Sequence, residues 1–185
     1  MEPTIVLLPI TAHILSSILL RLTSPSPRAS PRSWKSPLSI TGFALALLVP
    51  IHFLTHRAYP SLPADDAGRL IGELSPSELD YEYVKYGLRA WPIRSWIVYG
   101  TLALGVSLHI AGGIGVMWER YAGSLGLRER MKLPGRKARG RIMVGGLALP
   151  VLAGLWWLAR EEGMATRGTV ARFRAAYEMS SLYMW

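Results

Sequence analysis

Cysteine is absent from this 185-residue chain, which excludes disulfide scaffolds, thiolate zinc sites and cysteine nucleophiles. Acidic residues are few, with 12 Asp plus Glu against 21 Lys plus Arg, and none lies inside an apolar run. A proton-coupled pump therefore lacks its intramembrane carboxylate. Neither a Gly-x-Ser-x-Gly elbow nor a phosphate-binding glycine loop occurs, so a hydrolase or an ATPase has no support. No catalysis is expected.

What the chain does have is apolar residues, half of the total, with a mean hydropathy of +0.24. The length suits about one domain. Four uncharged or nearly uncharged stretches concentrate the apolar residues: 3–22, with Arg21 at its far end, 39–56, 96–118 and 142–158. Each approaches or reaches the about 17–25 residues that cross a bilayer as a helix. A soluble bundle would show a polar stripe at a period of 3.6 on such helices, and these stretches show none. The first stretch lacks the basic leader of a signal peptide and is expected to remain as an anchor. Trp96, Tyr99 and Trp118 suit the headgroup levels at the two ends of the third span.

The expected architecture is an all-α integral membrane bundle of four transmembrane helices over residues 1–158, followed by a tail, 159–185. Ser75-Pro76-Ser77-Glu78 reads as a capping box that starts a short surface helix in the middle loop, ending before Pro92. In the tail, Met164, Val170, Phe173 and Tyr177 recur at roughly helical spacing. They fit an interfacial helix, with a disordered tail as the alternative.

The loops differ in charge. Residues 23–38 hold four Ser-Pro steps with Arg28, Arg32 and Lys35 and no acid, an extended basic linker. Residues 119–141 carry eight Lys or Arg against Glu119 and Glu129, whereas 57–95 is balanced. With four spans, the two basic loops share one side, and the middle loop and both termini share the other. Arg128, Arg130, Lys132, Arg136, Lys137 and Arg139 are the residues expected to meet lipid headgroups, at about 1 kcal/mol each. No aromatic platform interleaves with them, so nucleic acid is not expected as a partner.

All four histidines, His13, His52, His56 and His109, fall in or at the edge of apolar spans, where a polar side chain needs a partner. At 1.5 Å per residue, His13 lies about 15 Å and His109 about 19 Å into spans that enter from the same side. Ser16 and Ser17 flank His13, while Gly105, Gly112 and Gly113 share the face of His109. Two imidazoles facing across a gap walled by small residues have the chemistry of axial ligands for a b-type haem. The competing reading is ordinary helix packing, with the histidines bonded to neighbouring helices. Ala103, Ser107, Ala111 and Gly115 form a second small-residue column on the opposite face. His52 and His56, four apart without an acidic ligand, read as interfacial anchors rather than metal ligands.

In order along residues 3–120, His13-Ile14-Leu15-Ser16-Ser17 with Leu20-Arg21, Ile40-Thr41-Gly42-Phe43, Pro50-Ile51-His52, Leu79-Asp80-Tyr81, Gly87-Leu88, Trp91-Pro92, Ser95-Trp96 and His109 with Gly112 resemble the transmembrane domain of fungal mitochondrial outer-membrane adapter proteins of the Mcp type. That resemblance implies a non-enzymatic protein of lipid homeostasis. Its basic loops 23–38 and 119–141 would be cytosolic, and its partners would be membrane lipids and a bridge-like lipid-transfer protein of the vacuolar sorting class at membrane contact sites. No cofactor is implied for that role.

Family members usually carry a further N-terminal span and a Pro-x-Pro recruitment element, whereas the match here starts at what would be the second span. Pro25-Ser26-Pro27 is a Pro-x-Pro triplet in a loop expected to be cytosolic. The family domain is also similar to the haem-carrying anchors of succinate dehydrogenase and fumarate reductase. By that likeness His13 and His109 form the haem b pair, and the alternative function is a haem-binding membrane anchor or electron carrier.

The polypeptide is expected to sediment with membranes after lysis and to be released only by detergent. Recovery in the high-speed supernatant without detergent would remove the membrane assignment.

Overall fold

The structure, a computed structural model, describes residues 3–23, 33–62 and 74–184. Pro25-Ser26-Pro27 lies outside them. Among the described residues there are six helices and no strand. Four are long and apolar enough to cross a membrane: α1 Thr4–Thr23, α2 Pro37–Ser61, α4 Pro92–Tyr121 and α5 Arg136–Arg160. Two shorter ones are α3 Tyr81–Ala90 and α6 Arg167–Glu178. The chain is a multi-pass helical membrane protein.

The helices extend past the apolar stretches that mark them. α5 has 25 residues rather than 17, because the basic run Arg136–Arg141 that precedes the apolar stretch is itself helical. Three π turns, Pro3–Leu7, Leu54–Ala58 and Val144–Ala148, each end two residues before a proline, Pro9, Pro60 or Pro150. A proline has no N–H for the carbonyl four residues back and its ring collides with it, so widening the preceding turn relieves the clash.

α2 and α4 approach closely. A Cβ on Gly105 would meet Leu45 at 3.3 Å, and one on Gly112 would meet Leu38 at 3.0 Å. The sequence placed these two glycines beside an open space; in the structure leucines of α2 fill it. On the other face of α4, Ser107, Ala111 and Gly115 are buried. There Arg139 of α5 lies over Gly115 and donates from Nε to the Ala111 carbonyl at 3.1 Å. By contrast, α1 has no buried residue; it stands off from α2 and α4 across a cavity.

Beyond the ends of α2, α4 and α5, α3 and α6 build a cap. The capping box forms as expected, with the Ser75 N–H donating to Glu78, but it caps only a 3₁₀ turn, Pro76–Glu78. Leu79 interrupts, and Asp80 restarts the chain as the N-cap of α3, accepting from the Glu82 N–H at 2.8 Å. The tail helix is present, and its apolar face is covered by protein: Phe173, Ala176 and Tyr177 are buried with Tyr83, Leu74 and Tyr183. Met164 takes no part in that core and is exposed.

Ion pairs fasten the cap. Arg172 pairs with Glu78, and with the Ser75 N–H it holds the Glu78 carboxyl below its usual range. Lys85, only 4% exposed, pairs with Glu82 and donates to the Glu162 carbonyl at 3.1 Å. Glu82 in turn raises the Lys85 pKa.

Gly87 is where the cap closes most tightly, because a Cβ there would overlap the buried Tyr177 phenol. Gly87→Ala is expected to displace α6 at a cost of about 1–3 kcal/mol for overpacking. The readouts are a lower melting temperature and new protease cuts within α6 in detergent-solubilised protein.

Candidate functional site

His13 and His109 face one another across the cavity between α1 and the α2–α4 pair. Their ring centroids are 6.1 Å apart with planes at 85°, an edge-on arrangement. The cavity is a half-open cleft of about 580 Å³, within the about 300–1,000 Å³ of ordinary cofactor and ligand sites.

The state of His109 follows from its neighbour. Thr41 donates its one hydroxyl proton back along α2 to the Pro37 carbonyl at 2.8 Å, so at 3.3 Å its oxygen accepts from His109 Nδ1. That leaves Nε2 with its lone pair, the arrangement by which a second partner readies a histidine as a metal ligand. Gly42 lets the ring lie against α2, since a Cβ there would stand 3.2 Å from His109 Cε1. Gly113 lines the cavity and a Cβ on it would meet nothing.

Ser16 and Ser17 both donate to the His13 carbonyl, at 3.1 and 2.7 Å. They therefore satisfy their own helix, and of the two only Ser17 lines the cavity. At the cavity's far end Arg21 donates from Nη2 to Ser39 Oγ at 2.8 Å and lies 4.9 Å from the Trp34 ring centroid. Its Nη1 is buried without a partner. Arg21 entered the sequence reading as the end of a span and within a family motif, not as a site residue, although a lone arginine bounding an apolar run was the available signal.

His52 and His56, read from the sequence as interfacial anchors, pack inward against protein. Their rings lie 4.4 Å apart, and His56 is enclosed by Tyr83, Tyr99 and Tyr177. The hydroxyl of Tyr177 donates to the Tyr83 carbonyl at 3.3 Å, so Tyr99 donates to Tyr177 across 3.1 Å and His56 Nε2 donates to Tyr99 across 3.0 Å. Tyr99, expected at a headgroup level, is buried and links span to cap. No group of three or more His, Asp or Glu that would hold a bare metal ion occurs among the described residues.

At the opposite end, Arg128, Arg130, Lys132, Arg136 and Lys137 are exposed. Arg139 departs from the expected headgroup role: it is half-buried and donates to the carbonyls of Ala111 and Pro134.

The fold and its site define a four-span helical membrane protein with a paired-histidine cavity at one side and a polar cap at one end. Comparison with family models, curated proteins and solved structures returns no match.

Tyr99→Phe breaks the chain from His56 to the cap and leaves the Tyr177 and His56 groups short of a partner. A loss of about 1–3 kcal/mol is expected, measured by thermal unfolding in detergent, while Tyr81→Phe on the exposed side of α3 leaves the transition unchanged.

Proposed function

We propose that this multi-pass protein resides in the mitochondrial outer membrane and serves lipid homeostasis as a non-enzymatic adapter, presenting a cytosolic surface to a bridge-like lipid-transfer protein of the vacuolar sorting class at membrane contact sites. The observation that carries this reading is the division of charge. Arg128, Arg130, Lys132, Arg136 and Lys137 stand exposed at one end, while at the other end basic and acidic side chains are matched within the cap. Such a surface attracts anionic headgroups and acidic segments of a partner.

The order of short motifs shared with the Mcp-type adapters supports the same reading. Among those motif residues, Thr41 and Gly42 both contact His109. Loops 23–38 and 119–141 then face the cytosol, and the cap faces the intermembrane space.

Protease treatment of isolated mitochondria tests the orientation. Cleavage near Lys132 is expected in intact organelles, with the cap cut only after the outer membrane is ruptured. Cleavage near Lys132 only after rupture reverses the orientation and removes the adapter reading.

A further inference from the structure

We propose that the cleft between α1 and the α2–α4 pair seats one diacyl phospholipid from the leaflet on the basic side, its phosphate on Arg21 and one acyl chain lying along the cleft. This goes beyond the adapter reading and does not depend on it, since it rests on the membrane spans alone. The length of the cleft decides the kind of occupant. On α1 it runs from Arg21 back to Pro9, and on α2 from Ser39 to Val49. At 1.5 Å per residue these intervals are about 18 Å and about 15 Å. One leaflet of hydrocarbon is about 15 Å deep, half of a core of about 30 Å. The cleft therefore starts at headgroup level and stops near the bilayer midplane.

Its walls are apolar along most of that length, with Ile10, Ile14, Phe43, Leu45 and Val49 among them, and it is half-open. What borders an opening at this depth is acyl chain, not water. One chain of the lipid fills the cleft while the other stays with the surrounding bilayer. Midway, the His13 and His109 rings meet edge-on and His109 Nδ1 is answered by Thr41. That pair forms part of the wall, and the one charged side chain lining the cleft stands at its headgroup end.

That charge is Arg21, and it is held in place. Its Nη2 donates to Ser39 Oγ, and its guanidinium carbon lies 4.9 Å from the Trp34 ring centroid and 5.5 Å from that of Phe43. Nη1 is buried and has no partner. Ser39 has nothing left to offer it, because its single hydroxyl proton goes to the Ser33 carbonyl at 2.9 Å. The ion pairs among the described residues join Lys85, Arg172 and Arg174 to acids and leave Arg21 out. A fixed guanidinium with an unanswered N–H at headgroup level matches a phosphate oxygen, the acceptor that arginine binds with a charge-assisted hydrogen bond. An occupant made of hydrocarbon alone fills the volume and leaves that N–H unsatisfied, which is costly.

The test uses the full chain, purified in mild detergent and washed until bulk lipid is gone, with retained phospholipid counted by phosphorus assay and mass spectrometry. About one phospholipid per chain is expected. Arg21→Gln and Gly113→Leu, which narrows the cleft where a Cβ now meets nothing, are each expected to lower retention at least fivefold. Arg130→Gln, on the exposed basic surface outside the cleft, leaves it unchanged. Folding of every variant is checked by its elution volume and helical circular dichroism.

Position and chemistry are read separately. In phosphatidylcholine vesicles carrying a photoreactive diazirine on one acyl chain, cross-links are expected on the peptides that hold Ile14 and Val49, and fewer of them in Gly113→Leu. Diacylglycerol with the same chains competes at least tenfold more weakly than the phospholipid, and inorganic phosphate does not compete. Folded wild-type protein that keeps no phospholipid overturns the proposal. So does equal retention by wild type, Arg21→Gln and Gly113→Leu, which marks lipid of the general bilayer shell. Displacement by inorganic phosphate, or a cleft found filled by a fatty acid or a porphyrin instead, overturns it as well.

Discussion

A polar group inside hydrocarbon has no water to turn to, and this constraint shapes nearly every contact along the four spans. Serine hydroxyls fold back on their own helices, as Ser16 and Ser17 do on His13 and Ser107 does on Ala103. Arg139 crosses to the α4 backbone. His56 begins a chain of hydroxyls that runs out of the spans and ends on the Tyr83 carbonyl in the cap. Where the described chain leaves such a group unanswered, at Arg21 Nη1, His52 Nδ1 or Thr55 Oγ1, the exception lies at the far end of the α1 cavity or in the turns that carry His52 and His56.

The same constraint separates two kinds of helix contact. Between α2 and α4, glycines face leucines and histidine, and dispersion between closely approaching backbones does the work that the hydrophobic effect does in water. α1 lacks that closeness. Its polar and ring contacts, His13 towards His109 and Arg21 with Ser39, Trp34 and Phe43, span a cavity instead of a packed seam. A helix placed in this way has room to adjust to what lies between it and its neighbours, whereas the α2–α4 pair does not.

The spans were legible in the sequence because apolar runs without a polar stripe have few other fates, and the alternation of charge among the loops ordered them. The paired depth of His13 and His109 was legible too, since it needs only a constant rise per residue. Packing partners were not. Gly105 and Gly112 share a face with His109, yet whether a leucine or a void stands opposite depends on the register of α2. The cap was hidden for a related reason: Tyr83 and Tyr177 stack across 94 intervening steps of chain, and an amphipathic tail helix looks alike whether lipid or protein covers it. His56 looked like an interface residue because its sequence neighbours, Arg57 and Tyr59, are polar, while the aromatic rings that enclose it come from α3, α4 and α6.

The seat of Tyr177 over Gly87 has a consequence for biogenesis. α3 leaves the ribosome long before α6, so its aromatic face waits uncovered on one surface of the bilayer while two further spans are threaded. The cap closes only when the last span has delivered α6 to that same surface. A threading error in α5 would strand the two halves on opposite faces, exposing the Tyr83 ring and a buried Lys85, features that quality-control machinery can recognise. Correct insertion of the final span is thus recorded in whether this small polar lid has shut.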